Sequence, residues 1–299
     1  PVLQPLPLDH AHLNQVLQQQ PELGLGENSL PYSQLITKIY RRVYYMGAIF
    51  DRDIQQKIQS GNRQVLAKAI TNLENSNTEI EIPNFTTSTQ VLGITGAPGV
   101  GKSTTVDAII KFLRQKDLSV AVLAVDPSSP ISGGALLGDR IRLSDHFTDP
   151  KVFIRSIATR GHLGGLSATI KQILNLIHLA NFDFIIIETV GVGQSEVEIM
   201  RVANTVCVVL APGMGDGIQA AKAGLLEIGD IYLVNKSDRE GALETKQDIE
   251  KSIALSMLKT TKGVNWTPPV LLGAMQTGIG IIELMLEVTK HRKAQGIES

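Results

Sequence analysis

The 299-residue sequence has little cysteine, few aromatic residues and almost no net charge. Its single cysteine, Cys207, excludes an intrachain disulfide, which fits a reducing compartment. Because Cys207 lies within the apolar run 205–210, we expect a small buried side chain rather than a reactive thiol. A formal net charge of −1 gives no electrostatic argument for a nucleic acid or an anionic membrane as partner.

Long hydrophobic runs are also missing. No apolar stretch approaches the length of a membrane span, and the first residues lack the basic start and apolar core of a secretory signal. The sequence begins at Pro1 rather than Met, and one interpretation is that the natural N-terminus has been removed. We therefore expect a cytoplasmic protein, or one of the mitochondrial matrix if a targeting peptide has been lost, with no contact to a membrane.

The most informative stretch is Gly96-Ala97-Pro98-Gly99-Val100-Gly101-Lys102-Ser103-Thr104. It matches G-x-x-x-x-G-K-[ST], the phosphate-binding P-loop, and it lies between an apolar strand-like run and a segment of helical periodicity, as that motif requires. Backbone N–H groups and a helix N-terminus would surround the phosphates. Lys102 is expected to reach the β- and γ-phosphates, and the Ser103 hydroxyl to ligate Mg²⁺.

Short apolar runs alternate with helical patterns from this motif onward. The strand-like runs cover 91–95, 119–125, 152–157, 183–187, 205–210, 231–234 and 269–272, and later helices are predicted over 166–180, 243–258 and 279–291. Strands that are apolar on both faces predict a mostly parallel sheet flanked by helices. The predicted fold class is α/β, a P-loop NTPase with an N-terminal helical extension.

The chain before the P-loop has a different pattern. A charge-poor arm covers residues 1–31, which are disordered in one interpretation and include a short helix at 10–20 in another. A helical extension covers 32–88, is broken at Ser60-Gly61-Asn62, and has Arg63 on a face interpreted as solvated. The P-loop domain is predicted over 89–292 and a C-terminal tail over 293–299.

Acidic residues follow the predicted strands at the edge where α/β sheets bind ligands. Asp126 and Glu188 each close an apolar run, and Asp139 lies in the loop after Asp126. Mg²⁺ beside a triphosphate takes a Ser or Thr hydroxyl with one or two carboxylates. Ser103, Asp126, Asp139 and Glu188 are therefore the predicted metal shell, although a helix cap or a solvated loop residue is the alternative for each carboxylate.

The segment 188–196 combines the acidic Glu188 with glycines at 191 and 193. Such a backbone can approach a γ-phosphate and change conformation when the phosphate leaves. Gln194 is the candidate for orienting the attacking water. Lys102, Asp139, Glu188 and Gln194 are thus the predicted catalytic residues, and the glycine-rich segment 213–222 is a further flexible candidate.

Base choice is indicated by Asn235-Lys236-Ser237-Asp238, which follows the run 231–234 and matches N-K-x-D. A carboxylate at Asp238 can accept two hydrogen bonds from the guanine N1–H and 2-amino groups, which adenine lacks. Lys236 would lie along the base plane, and the segment 273–278, including Ala274, would close over it. GTP and GDP are therefore favoured over adenine nucleotides.

These blocks resemble the MeaB/ArgK-type GTPases, the G-protein chaperones of adenosylcobalamin-dependent methylmalonyl-CoA mutase. The resemblance covers about residues 50–292 and rests on the blocks 125–129, 133–140, 160–165, 188–196 and 235–238. It implies GTP hydrolysis coupled to loading, protection or repair of a B12-dependent acyl-CoA mutase, with switch segments around 126–142, 191–196 and 213–223. It also implies a homodimer joined by a C-terminal helical extension, which is short or absent here.

Two other functions stay open on the residues alone. A metal-insertion GTPase for a nickel enzyme would need a Cys/His cluster, whereas the sequence offers Cys207 and scattered histidines such as His162, which we interpret as a loop residue. A non-catalytic nucleotide-binding adaptor or a small-molecule kinase is the other alternative, and ATP competing as well as GTP for the site would favour it.

Overall fold

The computed structural model describes residues 52–75, 89–127, 143–159, 166–189, 202–213, 227–257 and 266–296. The predicted arm over 1–31, with its helix at 10–20, lies outside the described residues, as do the segments 191–196 and 214–223. The division of the chain at residues 31, 88 and 292 stays a prediction. Among the described helices, none has the length and apolar character needed to cross a bilayer.

Strands and helices alternate along the described chain. The strands are β1 (Gln90–Thr95), β2 (Val120–Pro127), β3 (Val152–Thr159), β4 (Phe184–Thr189), β5 (Thr205–Leu210), β6 (Ile231–Val234) and β7 (Val270–Leu272). The helices are α1 (Arg52–Gln59), α2 (Arg63–Asn75), α3 (Lys102–Arg114), α4 (Leu166–Leu179), α5 (Ala242–Met257) and α6 (Ile281–Ala294). Every apolar run predicted as a strand forms one, with ends that differ by at most two residues.

The strands form one seven-stranded sheet in the order β3-β2-β4-β1-β5-β6-β7, and every pair is parallel. The predicted α/β class with a parallel sheet is therefore confirmed. β1 lies between β4 and β5, so the carboxyl ends of these central strands meet at one edge of the sheet. That edge is where open α/β sheets bind ligands.

The core on one face of the sheet lies beneath α3 and α6. Ile94 of β1, Ile109 of α3, Ile186 of β4 and Leu284 of α6 are fully buried in one cluster. Strands that are buried on both faces must be apolar at nearly every position, which is why their sequences are almost continuous apolar runs. α3 is thereby held rigidly under β1, and the loop that joins them is fixed at both ends.

Helices α1 and α2 pack on the sheet domain through α4, and α2 also contacts β3. The break between α1 and α2 falls at Ser60–Asn62, as predicted. The interpretation of Arg63 as part of a solvated face is wrong. Its guanidinium is half-buried, donates to the Val152 carbonyl and lies 5.6 Å from the centroid of the Phe182 ring. An arginine can be drawn inward in this way because its long apolar stem packs while its head finds a backbone acceptor and an aromatic face.

Cys207 is fully buried on β5, as predicted. Burial raises the pKa of the thiol to about 12, and the nearby Asp230 acts in the same direction. At pH 8 the thiol is therefore protonated and shielded from reagents.

We expect native protein at pH 8 to react with a thiol-specific reagent such as DTNB only after denaturant is added. The reaction should then release one equivalent of the reagent's coloured thiol product per chain, because the chain has one cysteine. Rapid release of one equivalent from the native protein would contradict the burial of Cys207.

Candidate nucleotide-binding site

The loop between β1 and α3 is shaped by glycines that no other residue could replace without rearrangement. Gly96 and Gly101 have φ angles of +140° and +100°. A Cβ on Gly96 would lie 2.1 Å from the Val209 carbonyl oxygen, and one on Gly101 would lie 2.2 Å from Asn235 Nδ2. Because α3 begins at Lys102, the N–H groups of its first turn point towards the loop. A helix N-terminus beside a glycine-rich loop suits an anionic group.

Lys102 bridges the loop that precedes it. Its ammonium donates to the Gly96 carbonyl at 2.7 Å and to the Ala97 carbonyl at 3.0 Å, and the residue is only 8% exposed. A buried ammonium must keep strong acceptors to offset its lost hydration. The two carbonyls supply them inside the loop, within reach of any anion that the loop would hold.

Ser103 and Glu188 are brought together from distant parts of the chain. The Ser103 hydroxyl donates to Glu188 Oε1 at 2.8 Å, and both residues are buried, at the start of α3 and at the end of β4. A hydroxyl has one donor and two lone pairs, so donating to Glu188 leaves both lone pairs of Ser103 Oγ available as acceptors. Oxygen donors of this kind are those that Mg²⁺ prefers. The pair therefore fits a Mg²⁺ site beside the loop.

The base motif, residues 235–238, is hydrogen-bonded to the P-loop. Asn235 is buried directly after β6, its Nδ2 donates to the Val100 carbonyl at 2.9 Å, and its Oδ1 accepts from the Met275 N–H at 3.0 Å. Lys236, with φ of +58°, donates to the Gly99 carbonyl at 2.6 Å. Asn235 and Lys236 thus tie the P-loop to the segment after β6.

The neighbouring segment 273–278 is fastened to the same place. The Ser237 N–H donates to the Gly273 carbonyl, and Ala274 pairs with Ile279 across an isolated bridge. Ala274 itself is buried, whereas Asp238 is exposed. An exposed carboxylate beside a braced loop is free to meet a ligand from solvent, in keeping with the predicted position of the base.

Three predicted site residues have no described side chain. Asp126 lies in β2, two residues beyond the residue level with Glu188, so its backbone reaches the same edge of the sheet. Its side chain, together with Asp139 and Gln194, lies outside the described residues. The structure brings together the P-loop, Ser103, Glu188 and the base motif; the roles assigned to them from the sequence stay predictions.

Sequence similarity assigns the chain to a family. The family model described as methylmalonyl-CoA mutase-associated GTPase MeaB matches residues 66–298. The chain belongs to the MeaB family. It is therefore a GTPase, and the family implies that it binds guanine nucleotide.

This chain is similar to proteins of several organisms. A Pyrococcus horikoshii protein named as a GTPase is 46% identical over 81% of this chain and 77% of its own. The GTPase ArgK of Escherichia coli is 37% identical over 80% of this chain and 75% of its own. The mitochondrial methylmalonic aciduria type A homolog of Caenorhabditis elegans is 31% identical over 86% and 71%. A crystal structure titled LAO/AO transport system kinase aligns with a TM-score of 0.62 and 28% identity, covering 82% of this chain and 76% of that one.

The sequence did not reveal the contacts that Val100 and Met275 make with Asn235. Both contribute backbone groups to the Asn235 amide, and the chain separations are 135 and 40 residues. No local signal could have identified them, because any residue type can offer a carbonyl or an N–H. Only the Asn235 side chain, which has both a donor and an acceptor, is specific.

Proposed function

We propose that this MeaB-family GTPase is a switch that gates cofactor loading, protection or repair of an adenosylcobalamin-dependent acyl-CoA mutase, with methylmalonyl-CoA mutase as the first candidate. The observation that carries the hydrolytic part is the buried Ser103–Glu188 contact beside the P-loop. The partner rests on the family's description and on the name of the Caenorhabditis elegans relative.

In the proposed binding mode the loop residues 96–104 hold the phosphates of GTP or GDP. Lys102 exchanges its contacts with Gly96 and Ala97 for the β- and γ-phosphate oxygens, which are stronger acceptors because they are charged. Ser103, Glu188, Asp126 and Asp139 hold Mg²⁺ directly or through water. Bound there, the ion would supply positive charge that offsets the charge on the phosphates.

Hydrolysis adds water to the γ-phosphorus and breaks its bond to the bridging oxygen of GDP. In this proposal Gln194 orients the attacking water. Lys102 and the loop amides stabilise the charge that develops on the leaving oxygen. Loss of the γ-phosphate then releases the segments 126–142, 191–196 and 213–223, which would carry the signal to the partner.

Base recognition is assigned to Asn235, Lys236, Asp238 and Ala274. Asp238 accepts from the guanine N1–H and 2-amino groups, Lys236 lies along the base, and Asn235 holds the motif against the P-loop.

Replacing Asp238 with alanine should weaken GDP binding by about 10- to 200-fold, because it removes two charge-assisted hydrogen bonds at a solvent-exposed position. Titration with fluorescent GDP would measure it, with the exposed Asp248→Ala on α5 as a control. Equal affinity in both variants would remove Asp238 from the base site.

The described part of the chain gives little support to the alternative of a nickel-insertion GTPase. No group of three His, Cys, Asp or Glu side chains that could hold a metal occurs among the described residues. Cys207 is buried and protonated, so it cannot supply a thiolate. Metal titration that revealed a tight Ni²⁺ site would revive that alternative.

The partner is tested by a pull-down from the native host. The tagged full chain would be offered to lysate with GDP and, separately, with a non-hydrolysable GTP analogue. We expect a B12-dependent mutase to be recovered, in amounts that differ between the two nucleotides. Failure to recover any mutase under either condition would contradict the chaperone role while leaving the GTPase activity intact. Size-exclusion chromatography of the tagged chain tests the homodimer that the family resemblance implies.

A further inference from the structure

Two threonine hydroxyls meet at the carboxyl ends of the central strands. Thr189 Oγ1 donates to Thr95 Oγ1 at 3.0 Å, and the residues are 1% and 0% exposed. Thr95 is the last residue of β1 and Thr189 the last residue of β4. Since Ile94 is registered with Glu188 in this parallel pair, the two threonines are the next neighbours and lie side by side.

The hydroxyl pair interrupts a row of apolar and aromatic side chains across the sheet. Register places these residues level with one another, and all are buried: Ile157, Val125, Thr189, Thr95, Val208 and Tyr232. Valine has the shape of threonine and would fill this row without burying a hydroxyl. Replacing both partners of a buried hydrogen bond with apolar groups of the same shape is close to neutral for stability. Packing alone therefore does not require threonine at both positions.

A reason for the two threonines is found in the residues next to them along the chain. Thr95 directly precedes Gly96, the first residue of the P-loop, and Thr189 directly follows Glu188. Successive side chains of a strand point to opposite faces, so the Thr95–Thr189 and Ser103–Glu188 bonds join the same two segments from opposite faces of the sheet. Together they limit both sliding and rotation of the end of β4 relative to the loop.

We propose that Thr95 and Thr189 are positioning residues for GTP hydrolysis, which act by holding the Glu188 carboxylate at a fixed height beside the P-loop. The inference rests on the proposed role of Glu188 at the metal. Neither threonine touches the nucleotide in this arrangement. The phosphate-binding amides and the base motif do not depend on the pair, so its loss should affect turnover more than binding.

The test is the double variant T95V/T189V in the full-length protein. We expect it to melt close to the unsubstituted protein, with a KM for GTP within about twofold and a kcat lowered about tenfold, because a small displacement of a reacting group has a large effect on rate. The matched control is Thr245→Val on α5, which also removes a buried hydroxyl that donates to a backbone carbonyl, that of Gly241. A kcat of the double variant equal to that of the control would overturn the proposal.

A second pair of variants decides the matter if the double variant folds poorly. Thr189→Ser and Thr189→Ala both lose the methyl group, and only serine keeps the hydroxyl. The proposal expects serine to keep most of kcat and alanine to lose it; equal kcat values in the two would overturn it.

Glu188→Gln separates this inference from the proposed function. If Glu188→Gln loses turnover while T95V/T189V does not, the positioning role fails and the role of Glu188 stands. If Glu188→Gln keeps full turnover, the proposed role of Glu188 fails, and the positioning role fails with it.

Discussion

Lys102→Ala should lower the turnover number for GTP by about 10²- to 10³-fold, the usual effect of removing one hydrogen-bond donor that stabilises charge in a transition state. In the structure the buried Lys102 ammonium donates to the Gly96 and Ala97 carbonyls, and in the proposed binding mode it exchanges these acceptors for phosphate oxygens. Removing it would take away the cation that the proposed binding mode places at the phosphates. Single-turnover measurements of phosphate release would give the rate without interference from slow product release.

The control for this variant lies on the same helix. Lys111 is an exposed residue of α3 that pairs with Asp107 at 2.8 Å, and Lys111→Ala removes the same charge at a surface position. Surface pairs of this kind contribute about 0.2–1 kcal/mol to stability. We therefore expect an unchanged rate for Lys111→Ala, and an equal rate in both variants would mean that Lys102 does not act at the phosphates.

Asn235→Ala should lower both the affinity for GDP and the free energy of unfolding, because the buried Asn235 side chain joins the P-loop to the segment after β6. The substitution leaves the Val100 carbonyl and the Met275 N–H without their partner in a buried place. Each unsatisfied buried group costs about 1–3 kcal/mol. We expect a loss of about 2–6 kcal/mol in the free energy of unfolding and at least a tenfold weaker affinity for GDP, since the P-loop and the base motif are no longer held together.

Asn204→Ala provides the matched comparison. Its Oδ1 accepts from the Val91 N–H at 2.8 Å, at the opposite end of β1 from the P-loop. Chemical denaturation and GDP titration of the two variants would separate the effects. A loss of stability in both, with weaker GDP binding in Asn235→Ala alone, is the expected pattern. Equal GDP affinity in the two variants would show that the Asn235 contacts serve only the fold.

Much of the fold could be predicted because its signals are local. A strand buried on both faces reads as an apolar run, and the run 205–210 became β5 with the same bounds. The break at Ser60–Asn62 and the burial of Cys207 were predicted on similar grounds and are confirmed. Arg63 was misjudged because its partners, Val152 and Phe182, are far away in the chain. An arginine in an amphipathic helix has no local mark that distinguishes a solvated head from a buried one.

The sequence by itself was enough to recognise two contiguous patterns, G-x-x-x-x-G-K-[ST] at 96–104 and N-K-x-D at 235–238, and with them the family. Short loops of this kind take their shape from glycines and from the adjoining helix, so residue order is enough to recognise them. Only the tertiary structure decided how these parts are joined. Strand order places β4 beside β1, which lets Ser103 reach Glu188 and Thr95 reach Thr189, and β6 lies where Asn235 can hold the loop. These contacts depend on which strands become neighbours, and that is decided by the packing of the whole sheet rather than by any segment of it.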